Sequence, residues 1–231
     1  MVFIDTVYQK VLAIANKEQR GYITPQEFNL FAGQAQMDIF EQYFYDINQF
    51  NRVPGNDTEY SDMLSLLNEK ISIFKRTAAL TYNVGGYYQK PAGALNTYLI
   101  NSITFNNIPM AELSNEELVQ AQKSLILKPT RQNPAYVQRQ NRIYVYPIGI
   151  TSSVLVKANY ILKPLTPRWN YVVANGEALY NSTGSIDFSL HSSEENNLIN
   201  KILQLAGITM GNEIYQVGSQ EEAKDIQQEK S

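Results

Sequence analysis

The chain has 231 residues, 44% apolar and 18% charged, with a net charge of −3 and no cysteine. That length buries a real core, as one large domain or two small ones. Lack of cysteine excludes disulfides, thiolate metal sites and a cysteine nucleophile, and the acidic balance argues against a dedicated nucleic-acid binder, which needs a clustered basic face.

The first third reads as helix. Ile4, Val7, Val11 and Ile14 recur at helical spacing, as do Phe28, Phe31, Ala35 and Ile39, widened by Phe40, Tyr43, Phe44 and Ile47. Asn16 to Phe28, between these stripes, has the look of half a calcium loop, with Gly21 at position 6 and Glu27 at position 12. Position 5, however, is Arg20, whose guanidinium has no lone pair to offer a cation. The same residues make a helix–turn–helix: Gly21 ends the first helix, Thr24 caps the second, Pro25 fills its first position and Glu27 completes a capping box. No metal site is expected. After the Pro54-Gly55 loop, Tyr60, Met63, Leu64, Leu67, Ile71 and Phe74 mark a third helix, and three amphipathic helices with short links predict an antiparallel bundle.

The middle changes period. Strands are expected at Tyr98–Phe105, turned by Asn106-Asn107, and at Ala135–Gln138, Arg142–Tyr146 and Val154–Ile161, with a short helix opened by a capping box at Ser114–Glu117. Ile143 and Val145 alternate with Tyr144 and Tyr146, so one face is buried and the other carries phenol tips. Lys163–Trp169 contains Pro164 and Pro167 and cannot be a paired central strand. Ser192–Glu195 then caps a last helix with Leu198, Ile199, Ile202, Leu203 and Leu205 inward, ended by Gly207. Beyond Gly211 the chain is polar, and only Ile214, Tyr215, Val217 and Ile226 offer apolar anchors. These bury too little surface to hold the tail on its own subunit, at about 25 cal/mol per Å², so a partner is expected to order it.

The fold class is therefore α+β: an N-terminal antiparallel helical bundle, a central small antiparallel β-sheet, and a C-terminal helix with an extended tail. The expected division is 1–84, with the helix at 192–210 packing on it, then a β-rich part at 85–191 and the tail at 211–231. Signs of catalysis are lacking. His191 is the single histidine, read as a solvent-facing loop residue before a helix cap; Gly85-Gly86 lacks the Lys-Ser/Thr of a phosphate loop; and paired acids such as Glu116-Glu117 and Glu194-Glu195 sit in first helical turns, where they complement the dipole. The chain reads as neither an enzyme nor a cofactor binder. Asn and Gln total 40, against 19 Lys and Arg plus 22 Asp and Glu, and Tyr numbers 16. Amides desolvate more cheaply than ions and Tyr suits half-wet surfaces, which favours protein–protein contact. No apolar run reaches membrane-span length, and Met1–Asp5 lacks a basic-then-apolar signal region, so no membrane partner is expected.

Two stretches carry a family likeness: Asn133–Tyr136 through Arg142–Pro147 to Ala158–Trp169, and Asp187–Leu190 followed by Leu198–Ile208. Together they resemble structural proteins of tailed phages, notably crAss-like and related marine phages, of the neck or head-to-tail connector type. The resemblance implies a virion protein assembled in the host cytoplasm into a homo-oligomeric ring, twelvefold to match a portal. It further implies contacts to the portal and to other neck or tail proteins, with DNA passing through the ring without sequence-specific binding. Candidate assembly contacts are Trp169, Tyr171, Ile214, Tyr215, Val217 and Ile226. The sheet-rich middle is larger than in minimal helical adaptors. The alternatives are another virion part, such as a tail or capsid-decoration protein, or a non-enzymatic cytosolic binding module.

A short helix beginning near Ser219 is marginal on its own in water, because nucleation is costly. Deleting residues 212–231 is accordingly expected to leave the melting transition nearly unchanged while abolishing attachment to the capsid vertex, measured by calorimetry and by co-sedimentation with capsids.

Overall fold

The computed structural model describes residues 1–17, 23–50, 58–89, 96–153, 155–174 and 176–207. The chain is mixed α+β and divides into two compact units, Met1–Ile73 with Pro164–Ser231, and Phe74–Lys163.

The first unit is helical. Its helices are α1 (Ile4–Lys17), α2 (Pro25–Phe50), α3 (Thr58–Ser72) and α5 (Glu195–Leu205), the fourth helix of the chain lying in the other unit. Helix α2 opens with the expected capping box: Thr24 N–H donates to Glu27 Oε2 at 3.0 Å and Glu27 N–H to Thr24 Oγ1 at 3.3 Å. The Thr24 hydroxyl donates to the same Oε2 at 2.7 Å, and this bond first, then that from the Thr24 N–H, holds the Glu27 carboxyl below its usual pKa. The apolar stripes turn inward, with Val7, Val11, Phe28, Ala35, Ile39, Leu67 and Ile71 buried. Helix α5 packs on α1 and α2 and contributes Leu198, Ile199, Ile202 and Leu203 to the core. The expected inward place of Met63 is not realised; it is 49% exposed, at the outer margin of α3.

Between the helices and α5, the chain crosses the bundle as an extended strap from Pro164 to Trp169. Two prolines deprive it of strand donors, and only Arg168 forms a backbone bridge, to Ile186. Side-chain amides from α2 supply the missing partners. Gln36, 1% exposed, donates from Nε2 to the Leu165 carbonyl at 2.7 Å and accepts the Ser189 N–H at 2.8 Å. Asn29 accepts the Trp169 N–H at 2.7 Å and donates to the Trp169 carbonyl at 3.0 Å. Seven residues, close to two turns, separate Asn29 from Gln36, so both project from one face of α2.

Under α3 and α5 lies a buried charge. Glu194 is 5% exposed and forms an ion pair with Lys70 at 2.6 Å, while Asn197 Nδ2 donates to it at 3.1 Å. Burial pushes the Glu194 carboxyl up, but the Lys70 and Asn197 hydrogen bonds and the Lys70 charge outweigh it, and its pKa is lowered. Tyr43 shares this site: burial first, then the Glu194 charge, drive its phenol pKa far upward, and Lys70 Nζ stands 5.8 Å from its ring centre. The expected cap at Ser192 gives way to a 3-10 turn at Ser192–Glu194, capped by His191, whose Nδ1 accepts the Ser193 N–H at 3.3 Å. His191, part-exposed ahead of the helix, thus also serves as the cap of this turn.

The second unit is β-rich, and the change from helix to strand comes at Lys75, ahead of the expected boundary near 85. Its strands are β1 (Lys75–Ala79), β2 (Thr81–Asn83), β3 (Tyr87–Gln89), β4 (Thr97–Phe105), β5 (Ile108–Pro109), β6 (Ala111–Glu112), β7 (Ala135–Arg139), β8 (Arg142–Tyr146) and β9 (Val156–Leu162). In place of one small sheet there are two, ordered β1-β9-β4-β5 and β2-β3-β8-β7-β6. Both feed one core that includes Leu80, Tyr88, Ile103, Ile143, Val156 and Ala158. Asn106 and Asn107 take φ of 47° and 65°, the left-handed pair that a two-residue hairpin demands. The β6–β7 pair is parallel, and α4 (Asn115–Lys123) crosses between these strands, opened by the Ser114–Glu117 capping box. Tyr88 donates to the Ile150 carbonyl at 3.0 Å and Tyr136 to Glu112 at 3.1 Å; burial, more than any neighbour, pushes each phenol up to about 12.

Two outcomes are expected of the helical unit, where Trp169, the only tryptophan, reports folding by its fluorescence. Gln36→Leu removes the side-chain partner of two part-buried backbone groups and should cost about 1–3 kcal/mol in urea unfolding, the range for one unsatisfied group. Because the Glu194 pKa is depressed, its contribution is present above the ordinary carboxyl range and lost as pH falls through it. The fluorescence midpoint should therefore drop on acidification from pH 6 to 3, and Glu194→Gln should reduce that dependence while lowering the midpoint at pH 7.

Candidate assembly surface

Trp169 and Tyr171 were expected at an assembly contact, and the structure separates them. Trp169 is 2% exposed, a core residue with no surface to offer a partner. Its indole N–H donates to Asp5 Oδ1 at 2.9 Å, and its ring lies 4.4 Å from that of Tyr8. Tyr171, half-buried, stacks on it at 5.7 Å and 24°, and Tyr180 approaches at 5.7 Å. Trp169 is thus the footing of an element not foreseen in the sequence, the hairpin β10 (Tyr171–Ala174) and β11 (Glu177–Tyr180).

Among the described residues this ribbon pairs with no other sheet. Its register sets Tyr171 opposite Tyr180 and Val172 opposite Leu179. The tyrosine pair faces the indole, while Val172, Val173 and Leu179 are each more than half exposed. An isolated two-stranded ribbon is marginal in water, and here the ring stack fixes its base: Asn170 N–H donates to Ser185 Oγ at 3.0 Å and Asn170 Nδ2 to the Thr183 carbonyl at 2.7 Å.

A second group of exposed apolar residues belongs to the β unit. Leu125 and Ile126 are fully exposed and Leu127 largely so, on the loop between α4 and β7. This tip is ordered by Ser124, whose Oγ accepts the N–H of Ile126 at 3.3 Å and of Leu127 at 3.2 Å. Val84, in the β2–β3 turn, and Ile148, after β8, are similarly exposed. Pairing register puts all three loops at one end of the five-stranded sheet: Asn83 faces Tyr87, β3 runs antiparallel to β8, and Ala135 at the start of β7 faces Tyr146 at the end of β8.

On the outer face of that sheet, the Arg142 guanidinium lies 4.6 Å from the Tyr87 ring centre and the Arg139 guanidinium 5.0 Å from that of Tyr144. Arg139 also donates to Asn115 Oδ1 at 2.7 Å. Among the described residues neither arginine reaches a carboxylate; the salt bridges there are Lys10–Glu195, Lys70–Glu194 and Lys201–Asp38, all in the helical unit.

The remaining candidates, Ile214, Tyr215, Val217 and Ile226, lie outside the described residues, as does Arg20 of the loop weighed for calcium. Among the described residues there is no group of three or more His, Asp or Glu placed to hold a metal ion, and no helix is long and apolar enough to cross a membrane. Sequence reading missed the Leu125–Leu127 tip, although an apolar triplet between Ser124 and the Lys128-Pro129 turn was a usable signal. It missed the hairpin because Tyr171–Tyr180 is too short to show a clear period. No protein-family model matches the chain, and no curated protein does.

Proposed function

We propose that the protein is a non-enzymatic structural component of a tailed-phage virion, a ring-forming connector that joins the portal to the tail. The observation that carries this reading is the β10–β11 hairpin, an anchored ribbon that presents Val172, Val173 and Leu179 to solvent. Exposed apolar side chains grouped on one element mark a surface to be covered by a partner, and a ribbon with free edges suits strand addition or insertion between subunits. The amide- and Tyr-rich composition and the family likeness point the same way. In this reading the ring is the working unit, the portal and other neck or tail proteins are its partners, and the protein acts by shape and contact alone.

The test is the mass of the purified protein, alone and mixed with the portal of its own virion, by native mass spectrometry. A closed ring that binds the portal is the expected result; a monomer that ignores the portal overturns the reading. Replacing Val172, Val173 and Leu179 together by Ser should lower the melting temperature by no more than about six degrees, as three surface changes of under about 0.5 kcal/mol each do, and should abolish the ring.

A further inference from the structure

The net charge of −3 conceals two opposite halves. Phe74–Lys163 carries ten Lys and Arg against three Asp and Glu, a formal +7; the rest of the chain carries nine against nineteen, a formal −10. From Leu118 to Gly176 no acidic residue occurs. The acidic total that argued against a nucleic-acid partner therefore does not describe the β unit. Of its three acids, Glu112 accepts from the Tyr136 hydroxyl, Glu117 closes the capping box with Ser114, and Glu116 is exposed in the first turn of α4.

Two of the cations meet at the tip of the β7–β8 hairpin. Arg139 and Arg142 are register partners, held opposite one another by the two-residue turn Gln140-Asn141, with Gln140 at φ 52°. Directly opposed residues of an antiparallel pair share a face, with Cα atoms about 5 Å apart, and like charges so placed repel. Each guanidinium stands over a tyrosine, Arg142 at 4.6 Å from the Tyr87 ring centre and Arg139 at 5.0 Å from that of Tyr144, and the two rings lie 6.1 Å apart. Cation–π contact holds the heads on the sheet while their edge N–H groups stay available. Arg139 uses one of these on Asn115 Oδ1; Arg142 makes no hydrogen bond among the described residues, and both arginines are exposed. Val137 and Ala135, on the same face, are buried, so the open strip follows β3 and β8.

We propose that this strip of the five-stranded sheet binds the phosphodiester backbone of duplex DNA without regard to sequence, with Arg139 and Arg142 as the phosphate ligands and Tyr87 and Tyr144 as the residues that position them. An anion between the two heads replaces their repulsion by attraction, and a guanidinium meets a phosphate through two parallel N–H···O bonds. The formal +7 of the unit adds a long-range field of the right sign. The rings decide between strands. A single strand is gripped by aromatic faces free for its bases, whereas both rings here already carry a guanidinium. A duplex needs no ring and presents twice the phosphate charge per length. Its evenly repeated charge can meet both heads in any register, which scattered carboxylates of an acidic protein segment cannot. The proposal stands on the β unit alone and does not depend on the ring-forming reading.

The test is the fluorescence anisotropy of a labelled 30-base-pair duplex titrated with the full chain and with two charge-matched variants, each checked for folding by circular dichroism. One variant is Arg139→Gln with Arg142→Gln. The other, Lys128→Gln with Arg131→Gln, removes two charges from the opposite end of the same sheet. The unaltered chain should bind two duplexes of unrelated sequence within about threefold of each other. Loss of Arg139 and Arg142 should weaken binding at least tenfold at 50 mM salt and lower the slope of log K against log salt by about 1.8, at about 0.9 per phosphate contact. The Lys128 and Arg131 variant should change affinity by less than about threefold. No binding below about 100 μM at 50 mM salt, the weak end of sequence-independent binding, overturns the proposal. So does equal loss in both variants, which assigns binding to the overall field, or a 30-nucleotide single strand bound as tightly as the duplex, which assigns it to the rings. Displacement of the duplex by poly-glutamate at equal charge concentration overturns it in favour of an acidic protein partner. Native mass spectrometry of the arginine variant should match that of the unaltered chain, so that assembly is read separately; a changed mass places the arginines in a protein interface and overturns the proposal.

Discussion

Everything in the helical unit turns on how α2 satisfies a strap that cannot satisfy itself. A chain segment with two prolines has part-buried carbonyls and N–H groups with no strand ladder to pair with, Arg168 apart. Gln36 and Asn29 are the partners, and each acts on backbone rather than on a side chain. Gln36 goes further by tying the strap to the Ser189 segment, which in turn sits beside Phe188 and its bridge to Val2. One buried amide therefore joins three stretches of chain that are far apart in sequence. Trp169 is set by the same device, held at its backbone by Asn29 and at its indole by Asp5, and the hairpin inherits its position from that ring.

The abundance of Asn and Gln thus has two meanings. Some of the amides are surface, as composition suggested, but the two that matter most to the fold are interior and act as hydrogen-bonding adaptors. Charge needs the same care. A small net value averages over units of opposite sign, and the long-range field near each unit is set by its local balance. The slightly acidic total argued against anionic partners for the whole molecule and said nothing of a β unit with few acids.

Legibility in the sequence followed the strength of each local signal. Helices with a full apolar period and a capping box, α2 and α4, were readable nearly to their ends, because Thr24-x-x-Glu27 and Ser114-x-x-Glu117 state where the backbone N–H groups go. Strands β4, β7, β8 and β9 announced themselves by alternation and by turn residues such as Asn106-Asn107. The short strands β2, β3, β5 and β6 did not; with two or three residues each, they are strands only because a neighbour pairs with them. The parallel β6–β7 pair is a tertiary fact of this kind. Trp169 was expected at an assembly contact, and its buried environment depends on Asp5 and Asn29, 164 and 140 residues away. Glu194 was read as dipole decoration for the same reason: Lys70 is invisible to a local window.

The β unit begins at Phe74 and ends at Lys163, and these limits meet: the Leu162 N–H donates to the Phe74 carbonyl at 3.0 Å, and Lys75 pairs with Ile161. It is an insertion, closed at its own neck, within a helical unit made from both ends of the chain. During synthesis this order has a kinetic meaning. Helices α1 to α3 leave the ribosome first but lack α5 and the strap, so their apolar faces wait uncovered while the β unit, continuous in sequence, has all its partners as soon as β9 emerges. Birth order and folding order are reversed, and the nascent helices are the part most in need of a chaperone.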